Sequence, residues 1–157
     1  MNETLTSLRK TRDSYYAGAI RIFLGILFLM TGAMKFAVPE LREAFSGQLA
    51  AAGIPFHPLN MWVVPAAEIG VGIFFVLGFL SRLASLTAVV IMMVATFVHQ
   101  VVDDPTLFPL QPAQPIIPAA AIALCIYIMV IGSGSWSLDL RQKPSHPRKD
   151  NARPVTK

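Results

Sequence analysis

A chain of 157 residues sets one domain as the starting expectation. Its hydrophobic fraction of 54% and charged fraction of 14%, against about a quarter charged in soluble domains, exclude an ordinary water-soluble globule. A single cysteine, Cys125, excludes an intramolecular disulfide, a CxxC redox pair and a four-cysteine iron–sulfur site within this chain.

Residues 1–16 form a polar arm carrying Arg9, Lys10 and Arg12, and it ends in Tyr15 and Tyr16, which suit an interfacial aromatic anchor. An apolar run over about 17–38 follows. A cleaved signal peptide is the rival reading of this run, but it is long for that role, lacks a clear small-residue cleavage site and is followed by further apolar runs. Gly18, Gly25 and Gly32 recur seven apart and so share nearly one face, where small residues let helices approach closely. Arg21 lies between two of these glycines and Lys35 three residues beyond the last, which sets both cations on or beside the packing face.

The connection to the second run contains "LREAFSGQLAAAG". Leu41, Phe45, Leu49 and Ala52 at helical spacing predict a short interfacial helix ended by Gly53, after which "IPFHP" reads as extended. The second run, about 61–80, opens on Trp62 and holds Pro65, Glu68, Gly70, Gly72 and Gly78. "FLSR" turns the chain into a third run, about 83–102, which ends in "TFVHQVVDD". "DDPTLFPLQPAQPIIP" is expected to be extended and stiff, with Pro115 and Pro118 in the first turns of a fourth run, about 114–133. "GSGSWSLDLR" then sets Trp136 in an aromatic belt and Asp139 where it can pair with Arg21. That group reads as anchoring. The tail, 141–157, is basic, proline-containing and expected to be disordered, and its charges suit orientation and anionic lipid rather than nucleic acid, for which no aromatic or motif signal is present.

Each apolar run has the roughly twenty residues that cross about 30 Å of hydrocarbon. The expected fold is therefore an all-α, integral membrane four-helix bundle over residues 17–140. The basic clusters and Arg82 fall on one side, and the loops that are acidic on balance, with Glu40, Arg42 and Glu43 in one and Asp103 and Asp104 in the other, fall opposite only with four spans and both N and C termini cytoplasmic.

Three ionisable residues then share the outer half. Lys35 lies in the outer third of span one, Glu68 about seven residues, roughly 10 Å, from the outer end of span two, and His99 near the outer end of span three. An isolated charge at a span centre costs about 2.5–3.5 kcal/mol even on the lenient insertion scale, so Lys35 is expected to face Glu68. Such a pair has two readings: it fixes helix register, or it belongs to a polar pocket in which Glu68 and His99 exchange protons. His57 lies on the same side, which makes a two-histidine haem or copper site conceivable, but no CxxCH or HxxxH spacing supports one and no metal is expected.

"RIFLGILFLMTGAMKF", "AGIPF", "AAEIGVGIFFVLGFLSRLA", His99 and "GSGSWSLD", in this order and over about Arg21 to Asp139, resemble the DoxX family of small four-helix bacterial membrane proteins. The resemblance implies a cell inner membrane protein of subunit type. Some members are linked to quinone-coupled oxidation of reduced sulfur compounds and others to oxidative-stress complexes. The family-like polar positions are Arg21, Lys35, Glu68, His99 and Asp139. Relatives often carry an Asn-Gly stretch and a further acidic residue before span four, where this chain has "LQPAQPIIP". On this reading a quinone binds in the outer half, with Lys35 and His99 at its carbonyls and Glu68 handling the proton. The expected partners are the lipid bilayer, a redox enzyme subunit that supplies the electron-carrying centre, and a second copy of the chain. The competing reading is a non-enzymatic scaffold or small-molecule carrier in which the ion pair only fixes packing.

Overall fold

A computed structural model describes residues 13–109 and 111–141. Arg9, Lys10, Arg12 and the basic tail from 142 onward, with its expected disorder, lie outside the described residues. Every regular element among the described residues is helical: α1 Tyr15–Ala37, α2 Pro39–Ala51, α3 His57–Leu77, α4 Ser81–Val101, a 3-10 turn Pro105–Leu107, α5 Ile116–Ile131 and a single turn, α6, Leu138–Arg141.

Three helices, α1, α3 and α4, are long and apolar enough to cross a membrane. The fourth, α5, has 16 residues, about 24 Å, and is shorter than the run over 114–133. Its ends explain the difference. Pro115 is the N-cap, Pro118 sits in the first turn where no N–H is needed, and Gly132 at φ 98° leaves the helix. The start of α3 differs in the opposite sense. Phe56 turns the chain at φ 53° and Pro58 occupies the first helical turn, so the helix begins at His57 rather than at Met61. Glu68 consequently lies about 16 Å along α3, deeper than the roughly 10 Å expected.

α1 packs most extensively on α3 and α4 on α5, while α3–α4 and α1–α5 contacts close the ring. Leu24, Phe28, Val71, Phe75, Ala84, Ala88, Cys125 and Ile128 fill the centre. Phe23, Ile26, Val63, Ile73, Leu86, Val90 and Val130 point away from it and are exposed, an arrangement natural in lipid and a liability in water.

The seven-residue glycine period marks the closest seam. A Cβ on Gly72 would stand 2.6 Å from Leu29 Cγ and 2.8 Å from Leu29 N, and one on Gly25 would stand 2.9 Å from Val76 N. One on Gly32 would stand 2.8 Å from Pro65 O. Backbone cannot yield as a side-chain tip can, so these contacts set the α1–α3 distance. Gly72→Ala is expected to push the two helices apart and to cost about 1–3 kcal/mol. A thermal unfolding midpoint in mild detergent checks this, and an unchanged midpoint would contradict the seam.

Candidate functional site

The Lys35 ammonium lies 2.6 Å from both Oε1 and Oε2 of Glu68. Helix direction explains how residues at different depths meet. Side chains lean toward their own helix N-terminus, and α1 and α3 are antiparallel, so Lys35 leans inward while Glu68 leans toward the bundle end. Gly32 leaves room between them, since a Cβ there would stand 3.1 Å from Glu68 Cβ. The pair is asymmetric: the lysine side chain is 21% exposed and the glutamate 3%, so the lysine is the more accessible partner. Its Nζ also stands 4.9 Å from the ring centroid of Phe45, a buried residue of α2.

His99 occupies the last turn of α4 and is buried. Its Nε2 lies 2.5 Å from Gln111 Oε1, and its ring stacks on Phe108 with centroids 3.9 Å apart. An amide oxygen accepts, so Nε2 donates, and in that tautomer Nδ1 is an acceptor. Nδ1 is buried without a hydrogen-bond partner among the described residues. The structure thus brings Lys35 and Glu68 together, while His99 is held by the following loop rather than by a hydrogen bond to the pair. Counting back from the α3–α4 turn sets His99 level with about position 59 of α3, roughly 13 Å nearer the bundle end than Glu68. Its Cβ leans back toward the pair.

His57, the first residue of α3, has Nε2 3.1 Å from both Oγ and O of Ser46, which ties α2 to α3. Among the described residues no group of three or more His, Cys, Asp or Glu could hold a metal ion. Asp104 accepts from Thr106 N at 2.9 Å and Oγ1 at 2.7 Å, which fixes the 3-10 turn and holds its carboxyl below the usual range.

The opposite end is built around Arg21, which is fully buried. Nε donates to Ser133 O at 2.7 Å, one terminal nitrogen to the carbonyls of Phe75 and Val76, and the other to Ser135 O at 3.3 Å and Trp136 O at 3.1 Å. These bonds account for the five N–H donors of a guanidinium. Phe75 and Val76 lie in the last turn of α3, where the helix carbonyls carry partial negative charge that favours a cation. Asp139 stands close enough to act on Arg21 electrostatically. Its carboxylate also accepts from Leu80 N at 3.2 Å, Ser81 N at 3.4 Å and Ser133 Oγ at 2.5 Å, capping α4 where Leu80 holds φ 47°. Gly78, at φ 64°, lets Ser137 approach, since a Cβ there would stand 2.5 Å from Ser137 Cβ. Trp136 is 62% exposed and meets Tyr15 edge-on with centroids 5.5 Å apart.

Sequence reasoning missed Phe45 as a cation partner, Gln111 and Phe108 as partners of His99, and the carbonyl cage of Arg21. Gln111 falls within "LQPAQPIIP", the stretch that departs from the family pattern.

Long apolar helices joined by a part-buried Lys–Glu pair at one end and a caged arginine at the other define a helical, multi-pass membrane protein. The family model DoxX matches residues 17–100, just over half of the chain, and the chain belongs to the DoxX family. The match takes in Arg21, Lys35, Glu68 and His99 and ends before α5. No curated protein and no solved structure matches it.

Proposed function

We propose that this chain is the membrane subunit, or membrane partner, of a quinone-linked oxidoreductase system of a bacterial inner membrane. It crosses the bilayer four times, with the arginine end and both termini cytoplasmic. The orientation rests on charge: Arg82 and Arg141 stand at the arginine end, while the loops at the lysine end are acidic on balance, with Glu40, Arg42 and Glu43 in one and Asp103 and Asp104 in the other.

The observation that carries the functional reading is the Lys35–Glu68 pair, with its glutamate buried and its lysine part-exposed. A quinone head is a planar ring with two carbonyl acceptors, and bound it accepts electrons and protons. The residues present suit it. Lys35 supplies an ammonium donor for a carbonyl, His99 a buried Nδ1, uncommitted among the described residues, that can accept from the hydroxyl of the reduced head, and Glu68 a carboxylate able to exchange a proton. In this role Lys35 and His99 hold the head, Glu68 handles its proton, and the electrons arrive from a redox centre on a partner subunit. One observation favours a second reading, a scaffold or small-molecule carrier: both glutamate oxygens are already satisfied by a single ammonium.

Tryptophan fluorescence separates the two. Trp62 stands at the lysine end, 5.7 Å from Phe36 between ring centroids, and Trp136 at the arginine end. A short-chain quinone titrated into the detergent-solubilised protein should quench Trp62, in a Trp136→Phe background, along a saturable curve. Trp136, in a Trp62→Phe background, should be quenched only weakly and linearly. Equal linear quenching of both would contradict quinone binding at the lysine end.

A further inference from the structure

The short helix α2 is fastened over the ion pair in a way that no span is. Of its 13 residues only Ala44, Phe45 and Leu49 are buried, so apolar packing grips it lightly. Both of its ends are joints. Val38, extended at φ −112° and ψ 109°, separates it from α1, and Gly53 at φ 64° follows its last turn with nothing within 4 Å of where a Cβ would stand. The Arg42 guanidinium stands over the Trp62 ring of α3, 4.7 Å from its centroid, and two hydrogen-bonded fastenings hold the helix between these joints. Ser46 meets His57 Nε2 at 3.1 Å, and the Gln48 side-chain amide donates to Leu107 O. Beside that bond a Leu107 methyl fills the space a side chain would take on Gly47, 2.6 Å from the Cβ position. What α2 covers is specific: its Phe45 ring stands against the Lys35 ammonium.

We infer that α2 is a latched lid over Lys35 and Glu68, released at the Gln48–Leu107, Ser46–His57 and Arg42–Trp62 contacts and swung on Val38 and Gly53. With the lid down, Phe45 covers part of the lysine, which stays 21% exposed, and water reaches the carboxylate poorly. With the lid up, water and protons from the aqueous end reach both groups. Segments held by few buried side chains and a handful of hydrogen bonds open far more often than the core, and α2 has that construction. The loop carrying Leu107 also carries Phe108 against His99, so release of the latch and the setting of His99 are mechanically joined. The inference rests on the Lys35–Glu68 pair being the working site proposed above. Its test reads exposure rather than quinone binding, so either can fail without the other.

The test is acylation of Lys35 by a membrane-impermeant, amine-reactive ester, followed by peptide mass spectrometry of the full-length protein in detergent. Gln48→Ala with Leu107→Ala should raise the labelling rate of Lys35 several-fold. Gly47→Cys with Leu107→Cys, in a Cys125→Ala background, should lower it below wild type when oxidised and restore it on reduction. Should the first variant fail to fold, the oxidised and reduced forms of the second still decide the matter. Equal labelling of the oxidised and reduced forms would overturn the lid, as would unchanged labelling in a folded Gln48→Ala/Leu107→Ala protein.

Discussion

Arg21→Met is expected to yield little folded, monodisperse protein, and Arg21→Lys to fare only slightly better. The side chain is fully buried, and its hydrogen bonds join α1, the end of α3 and the Ser133–Trp136 loop. Removing it strips the carbonyls of Phe75, Val76, Ser133, Ser135 and Trp136 of a charged donor where little water can replace it. Breaking a buried charged network costs about 3–5 kcal/mol, a large share of the 5–15 kcal/mol typical of a folded domain. Lysine keeps the charge, but an ammonium has three donors in a compact head and cannot span a fork-shaped cage. Size-exclusion profiles and thermal midpoints of detergent extracts check this. An Arg21→Lys protein with a wild-type midpoint would show that charge alone, rather than the guanidinium fork, holds this end together.

At the other end the two single substitutions are expected to be unequal. Lys35→Met leaves Glu68, 3% exposed and about 16 Å along α3, without a counter-charge, and should cost about 3–5 kcal/mol. Glu68→Gln leaves a lysine that is 21% exposed and sits three residues from the end of its apolar run at Val38, so it can extend its stem toward the aqueous end. That substitution should cost about 1–3 kcal/mol. The double variant Lys35→Met/Glu68→Gln removes both charges together, a change that is often close to neutral, so its loss should fall well below the sum of the two single losses. Additive losses would mean that the pair contributes nothing as a pair.

The membrane class was legible because lipid demands long uninterrupted apolar runs, and the sequence has them. The packing face of α1 was legible for a related reason: only glycine permits the approach seen at Gly25 and Gly32, and the spacing is visible in one dimension, although it does not say that α3 is the helix packed there or that Gly18 meets Ser135 instead. Lys35 and Glu68 could be paired because two opposite charges on antiparallel apolar runs have few other partners. The start of α3 was missed because Pro58 reads as an extended signal, although a proline in a first helical turn is compatible with helix. The length of α5 was missed because hydropathy does not register where Pro115 and Gly132 bend the backbone. The Arg21 cage and the Gln111–His99 contact have a common reason for being invisible. Backbone carbonyls carry no residue identity, and a loop rich in proline gives no periodicity from which to fold it back onto a helix end.

The central claim is that the Lys35–Glu68 pair does more than hold α1 to α3, and the charge-neutral double variant isolates that claim because it is expected to fold. The decisive measurement is the quinone content of purified wild-type protein and of Lys35→Met/Glu68→Gln, by mass spectrometry of small molecules extracted from mild detergent. The account predicts near-stoichiometric quinone in the wild type and its loss in a folded double variant. A wild type holding only bulk phospholipid, or a double variant that keeps its quinone, would contradict it and leave the pair as a device for packing.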